Sequence, residues 1–381
     1  MKTIRRYLWM EIASASLFVL FALLALFLFF DMVAQLDEIG QRGFLFRHAL
    51  SYVALTLPSR TYELMPIAAL IGTIYALSNL AANSEFTIMR VSGMSTRRLM
   101  NSLLVIGVAI VALTYALGEF IAPPAERLAQ KVRLQATGSA ISVREFRSGV
   151  WVRDVVKEPS GGGVAAFRFI NVRQVRPDAS TRDWRVFEFD RDYKLRSIMT
   201  AEAGDYSAGS GWTLTNVVET KLPGPIAAAT VPQMAAARTE VVKTAELAWS
   251  SELKPDIFGV MIVQPERMAG WDLAQYIQHL SDNRQQTERY EIAFWSKLFH
   301  PWAVLVMMVL ALPFAFLHVR AGGTSLKIFT GVMIGVAFYG LNKLFAHLGL
   351  LNTWPPIIVA ALPSLVVLAA AMSALYWIER R

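Results

Sequence analysis

The sequence predicts an α-helical membrane protein of six transmembrane helices, with an all-β domain of sandwich or jelly-roll type inserted between the third and the fourth. Three observations predict it. Of the 381 residues, 55% are hydrophobic and only 17% charged, a balance that a soluble domain does not hide in one core. Apolar runs that meet the roughly 20 residues needed to cross a bilayer cluster at both ends of the chain. The middle has no such run and instead mixes apolar and polar residues at short period.

Lys2, Arg5 and Arg6 precede the first run, Leu8 to Phe30, whose one charge is Glu11 and which has no small-residue cleavage site. It reads as an uncleaved helix closed by Asp31, with Asp37 and Glu38 beyond. The second run, about Tyr52 to Ala82, is interrupted by Pro58, Arg60, Glu63 and Pro66. The third covers about Leu99 to Ala122, with Glu119 near its end and Pro123-Pro124 after it. Glu126 to Gln135 continues it as a helix carrying Arg127, Lys131 and Arg133.

Segments such as Ala166–Val172, Trp184–Phe189 and Trp212–Val217 are rich in aromatic and β-branched residues. Gly161–Gly163, Asp178–Ser180 and Ala208–Gly211 punctuate them as turns. Core packing is the expected role of Trp151, Phe167, Phe169, Trp184, Phe187, Phe189 and Trp212, with Phe167 and Phe169 on one strand face. Strand order stays open. Met268 to Asp282 then puts Leu273, Tyr276, Ile277 and Leu280 on one helical face, and the fourth, fifth and sixth runs follow at about Ile292–His318, Ile328–Phe345 and Ile357–Tyr376. The expected division is 1–135 for the first three spans, 136–266 for the β domain and 267–381 for the return helix and last three spans.

Basic residues orient this array. The N-terminus, Arg90 to Arg98, Arg320 to Lys327 and Arg380-Arg381 all fall on one side of six spans, the cytoplasmic side by the positive-inside rule. The β domain then lies outside the cytoplasm.

Between the second and third spans lies Asn83 to Arg98, with one glycine. It reads as a short amphipathic helix, a turn at Gly93 and a new helix capped by Ser95 or Thr96. A partner could press on it, or it could be an ordinary positively charged loop. No cysteine is present and no HxxxH pair, so neither a cysteine site nor a histidine metal site is expected. GxxxxGK[ST], GxSxG and HExxH are absent, so any nucleotide hydrolysis belongs to a partner, and no basic-aromatic module suggests nucleic acid. Asp31, Arg60, Glu63, Glu119, Lys297, His300 and Lys343 lie within or near spans, where a charge faces a cavity, a counter-charge or the interface. They could line a cavity for an anionic amphiphile, or form internal pairs such as Arg60 with Glu63.

Arg6-Tyr7, Met65–Leu70 with Gly72, Ser84-Glu85 with Met89 and Ser92-Gly93, Gly118-Glu119, Ala122-Pro123, Trp295–Lys297, Pro301 and Pro355-Pro356 together resemble the lipopolysaccharide-export permeases LptF and LptG over essentially the whole chain. Trp295-Ser296-Lys297 is closer to the LptG branch. The resemblance implies a permease subunit without chemistry or cofactor of its own, in a Gram-negative inner membrane with both termini cytoplasmic and a periplasmic β-jellyroll. It implies an LptF-like second permease, an LptB-like ATPase dimer that uses ATP and Mg, an LptC-like protein and an LptA-like bridge, with lipopolysaccharide as substrate. The segment 83–95 would be the coupling helix, acting through Ser84, Glu85, Phe86, Met89 and Arg90. Arg133, Lys131, Arg60, Lys297 and Lys343 are the candidates for lipid phosphate or cavity contact. One departure stands out: where some relatives carry lysines after the first span, this chain has Asp37 and Glu38. The rival readings are the LptF-type subunit and a mechanotransmitting or sensory protein whose β domain moves no substrate; a secondary transporter would pair the interruptions at Pro58 and Pro66 with an inverted counterpart in the other half, and the sequence shows none.

Overall fold

The computed structural model describes residues 2–40, 43–93, 95–137, 150–157, 164–175, 180–207, 211–222, 239–249, 264–282, 285–316 and 324–380. Arg320, Gly161–Gly163 and the side chain of Phe86 lie outside what is described. Among these residues six helices are long and apolar enough to cross a membrane.

The first three spans are α1 (Lys2–Gln35), α2 (Phe46–Ala82) and α4 (Thr96–Ala116), with α3 (Glu85–Val91) between the last two. A π-helical turn, Leu117–Ile121, joins α4 to α5 (Ala122–Thr137), so the third span runs on past Pro123-Pro124. The reason is local. Ala122 N–H donates to Leu117 O, five residues back, and the prolines fall in the first turn of α5, where the absent N–H groups matter least.

The inserted sheet has six antiparallel strands, β1 (Val150–Lys157), β2 (Val164–Val175), β3 (Thr181–Phe189), β4 (Leu195–Ser207), β5 (Gly211–Lys221) and β6 (Glu240–Trp249). Each pairs with the next in the chain, a plain meander. Its core holds Ile170, Val172, Trp184, Val186, Trp212, Leu214 and Trp249. Strands in a sheet stand about 4.8 Å apart, so flat pairing would hold β6 nearly 20 Å from β2. Yet Trp249 of β6 lies 5.8 Å from the Trp184 ring of β3, and the Arg168 guanidinium of β2 is 5.5 Å from the Trp249 ring. The sheet is therefore rolled, its two limbs facing each other across the tryptophans.

The phenylalanines sit elsewhere. Phe169 pairs with Phe187 and Ile170 with Val186; since Ile170 and Val186 are in the core, Phe169 and Phe187 project from the other face. There Phe187 stacks on Trp151, which is 49% exposed, Phe167 on Tyr193, and Phe169 meets Phe189 edge to face. Core packing accounts for Trp184 and Trp212, and Phe167 is buried on the second face at 6% exposure, whereas Trp151 stands outward because alternation along its strand sends it there.

The chain returns through a 3-10 turn, Pro265–Arg267, and α6 (Gly270–Asp282), which buries Leu273, Tyr276 and Leu280. Then come α7 (Glu288–Phe316), α8 (Thr324–Asn352) and α9 (Pro356–Glu379). At the centre stands α2, packed against α1, α5, α7 and α8. Of its most apolar window 78% is buried, against 6% for α1 and 17% for α8.

Prolines tie α2 to α7. In a helix Pro66 cannot donate to Tyr62 O, nor Pro301 to Lys297 O, so both carbonyls lose their usual partner. Each is met by a side chain of the other helix. His300 Nε2 lies 3.0 Å from Tyr62 O, and the Tyr62 hydroxyl donates to Lys297 O at 3.2 Å. A carbonyl only accepts, so the His300 proton sits on Nε2. The Tyr62 and His300 rings lie 4.5 Å apart, and Gly118 makes room for them: a Cβ there would come within 2.4 Å of the Tyr62 ring.

Candidate functional site

Two polar regions stand at opposite ends of the bundle. At one end α2 gives way to α3 at Ser84, whose backbone is left-handed (φ 61), and α3 gives way to α4 at Gly93 (φ 93), the expected turn. Ser95 caps α4 by accepting from Arg98 N–H, and Arg98 Nη1 donates to Gly93 O at 2.6 Å. The result is a small hairpin with two faces. Glu85 and Met89, one turn apart, look into the bundle: the Tyr7 hydroxyl donates to Glu85 Oε2 at 2.9 Å, and Met89 joins the apolar cluster of Leu8, Ile12, Leu99 and Leu103. Ile88 and Val91 look away, 64% and 85% exposed, as does Arg90. The family resemblance named Ser84, Glu85, Phe86, Met89 and Arg90 on this segment and did not name Ile88 and Val91. Their signal was the i, i+3 spacing of two apolar residues in a segment otherwise polar.

At the other end a belt of charges joins the spans to the β domain. Glu126 of α5 is 1% exposed and accepts from Arg267 Nη1 at 2.9 Å, Ser59 Oγ at 3.2 Å and Gln130 Nε2 at 3.2 Å. Burial alone would pull the Arg267 guanidinium down, but the Glu126 carboxylate outweighs it and holds Arg267 above its ordinary value. Glu119, on the π turn, accepts from the backbone N–H groups of Gly270 at 2.9 Å and Trp271 at 3.3 Å, a carboxylate set on the N-terminus of α6. Lys297 lies 3.7 Å from Glu119 and donates to Met268 O. These contacts fasten the return segment from the sheet onto α5 and α7. Leu134, near the end of α5, also packs against the sheet's tryptophan core.

The five basic candidates divide. Arg60 grips Asp31 through Nε at 2.9 Å and Nη2 at 2.8 Å and reaches Glu63 at 3.1 Å. Arg133 bonds Glu38 at 2.7 Å and lies over the Tyr52 ring at 5.3 Å. Lys297 serves the belt. Lys131 is exposed, and Lys343, also exposed, lies 5.8 Å from the Tyr339 ring. No anion cradle gathers the five together among the described residues; they are spread over α2, α5, α7 and α8.

A buried central helix, two loosely covered spans, a hairpin exposed at one end and a rolled sheet at the other describe a polytopic helical membrane protein with an inserted β domain. A family model described as "Lipopolysaccharide export system permease LptF/LptG" matches residues 6–379. The chain is 30% identical over 362 residues to the "Lipopolysaccharide export system permease protein LptG" of Escherichia coli (strain K12), covering 94% of each. It is 28% identical over 382 residues to the LptG of Haemophilus influenzae, covering 100% of this chain and 98% of that one. The chain belongs to the lipopolysaccharide export system permease family LptF/LptG.

Proposed function

We propose that this chain is the LptG-like permease half of an ATP-driven lipopolysaccharide extractor in the Gram-negative inner membrane, paired with an LptF-like permease and served by an LptB-like ATPase dimer. The observation that carries the reading is the α3–α4 hairpin, which presents Ile88 and Val91 outward on one side while Met89 roots it in the bundle on the other. An exposed apolar pair on a helix rooted in the spans is a surface for a partner. Orientation by basic residues supports placing that surface in the cytoplasm, where ATP is, and the sheet in the periplasm, where LptC-like and LptA-like proteins would continue the path. In this reading the chain is not itself an enzyme, and lipid reaches a cavity shared with the second permease, with Lys131 and Lys343 the basic side chains open to a phosphate.

Purification in mild detergent tests the reading. The chain is expected to bring an ATPase and a second permease with it. Isolation without either sinks the transporter reading and returns the fold to a sensory or mechanotransmitting role.

A further inference from the structure

The start of α1 is tied to both arms of the hairpin. Tyr7 donates to Glu85 on α3 at 2.9 Å, and Trp9 Nε1 donates to the backbone carbonyl of Ser102 on α4 at 2.8 Å. Under them Leu8 and Ile12 share one apolar cluster with Met89, Leu99 and Leu103. At its far end α1 is held by two further polar ties, Asp31 to Arg60 and Glu38, just past the helix, to Arg133. Between these ends Leu17, Phe18 and Phe21 face outward, at 53%, 75% and 63% exposure. The helix is a strut, gripped by polar contacts at both ends and loosely covered along its length.

Glu85 lies on the face of α3 turned toward this strut. A residue that served only an external partner would belong to the outer row with Ile88 and Val91. Its carboxylate has two oxygens; Oε2 takes the Tyr7 hydroxyl, and Oε1 accepts no hydrogen bond among the described residues.

We propose that Tyr7 is a positioning residue that makes α1 a direct receiver of hairpin movement, with Glu85 as the bridge: Oε2 to Tyr7, Oε1 to a cationic side chain of the ATPase. The inference rests on the hairpin being the ATPase-coupling surface. A hydrogen bond to an ionised carboxylate is roughly twice as strong as a neutral one, so the tie survives at an exposed site. Movement of α3 would be carried by Tyr7 along α1 to Asp31 and the outer belt.

The test uses the whole complex, reconstituted in vesicles loaded with lipopolysaccharide, with Tyr7→Phe, which loses the hydroxyl and keeps the ring. A nitroxide on Phe18→Cys reports α1, and the chain has no other cysteine to be labelled. The expected result is an ATPase that stays bound and hydrolyses ATP near the wild-type rate, lipid released per ATP lower by about fivefold or more, and loss of the nucleotide-dependent change at the label. Glu85→Gln keeps an acceptor for Tyr7, so there the label's response is expected to persist while ATPase retention becomes weaker. Equal lipid release per ATP in Tyr7→Phe, an unchanged label response, or a parallel loss of ATP hydrolysis would each overturn the inference. A wild-type complex that retains no ATPase removes the parent reading; a wild-type complex that exports no better than its Tyr7→Phe variant removes this inference alone.

Discussion

The two polar ends of the bundle are built on opposite rules. At the β-domain end acids meet bases inside the chain: Glu126 meets Arg267, Glu119 meets Lys297 and the N-terminus of α6, Asp31 and Glu63 meet Arg60. At the hairpin end one carboxylate meets one phenol, and apolar side chains are left outside. A closed charge network holds parts in place, since opening it strands a charge away from water. An open apolar surface is completed by something else. The difference separates the residues that hold the molecule together from those that connect it to partners.

Five variants test that division, one of them a compensating double and the rest ordered by the stability each should remove. Arg267→Ala would leave the Glu126 carboxylate, 1% exposed, without its counter-charge, and about 3–5 kcal/mol should be lost, read as a fall in the unfolding temperature in detergent. Replacing both partners, Glu126→Leu with Arg267→Met, should restore much of it, because no charge is then stranded. A single variant no less stable than wild type would show the belt to be ornamental. His300→Phe keeps the ring but leaves Tyr62 O unmet, and about 1–3 kcal/mol should go in the same assay. Tyr62→Phe removes one hydroxyl from Lys297 O and should cost about 1 kcal/mol. Ile88→Asp with Val91→Asp should leave stability within about 0.5 kcal/mol, since both side chains are exposed, yet abolish ATPase co-purification. If the double variant keeps its ATPase, the hairpin is not the docking surface.

The hairpin also changes which substitutions are informative. Glu85→Lys reverses a charge that the family resemblance would put at a partner groove, but in the folded chain it would also break the Tyr7 tie. Loss of export in that variant does not separate the two effects. The pair Ile88 and Val91 does.

How much was legible in the sequence follows from how local each signal is. Six spans, the inserted β domain, the Gly93 turn, the Ser95 cap and the Arg60–Glu63 pair are read from runs and short spacings, and all are present. What the reading missed depends on residues far apart in the chain. Arg60 takes Asp31 as well as Glu63, from 29 residues away, and Arg133 and Glu38, noted separately as a basic candidate and an unexpected acid, turn out to be partners. In this chain Glu38 holds Arg133 to the end of α1. The roll of the sheet and the outward place of Trp151 were beyond reach because period-two alternation does not say which face a second limb will cover. The π turn was hidden too, since nothing in Leu117–Ile121 marks a change from one helical bonding pattern to another.

The paired prolines of α2 and α7 restrict how this molecule can move. Sliding one helix past the other by a turn would withdraw His300 from Tyr62 O and the Tyr62 hydroxyl from Lys297 O at once, baring two carbonyls that the prolines leave without their usual helical donor. Rotation of either helix about its axis would do the same. The two are tied as one packed unit, a keel along the centre of the bundle. Against that keel α1 and α8 are the most loosely covered spans, with 6% and 17% of their most apolar windows buried.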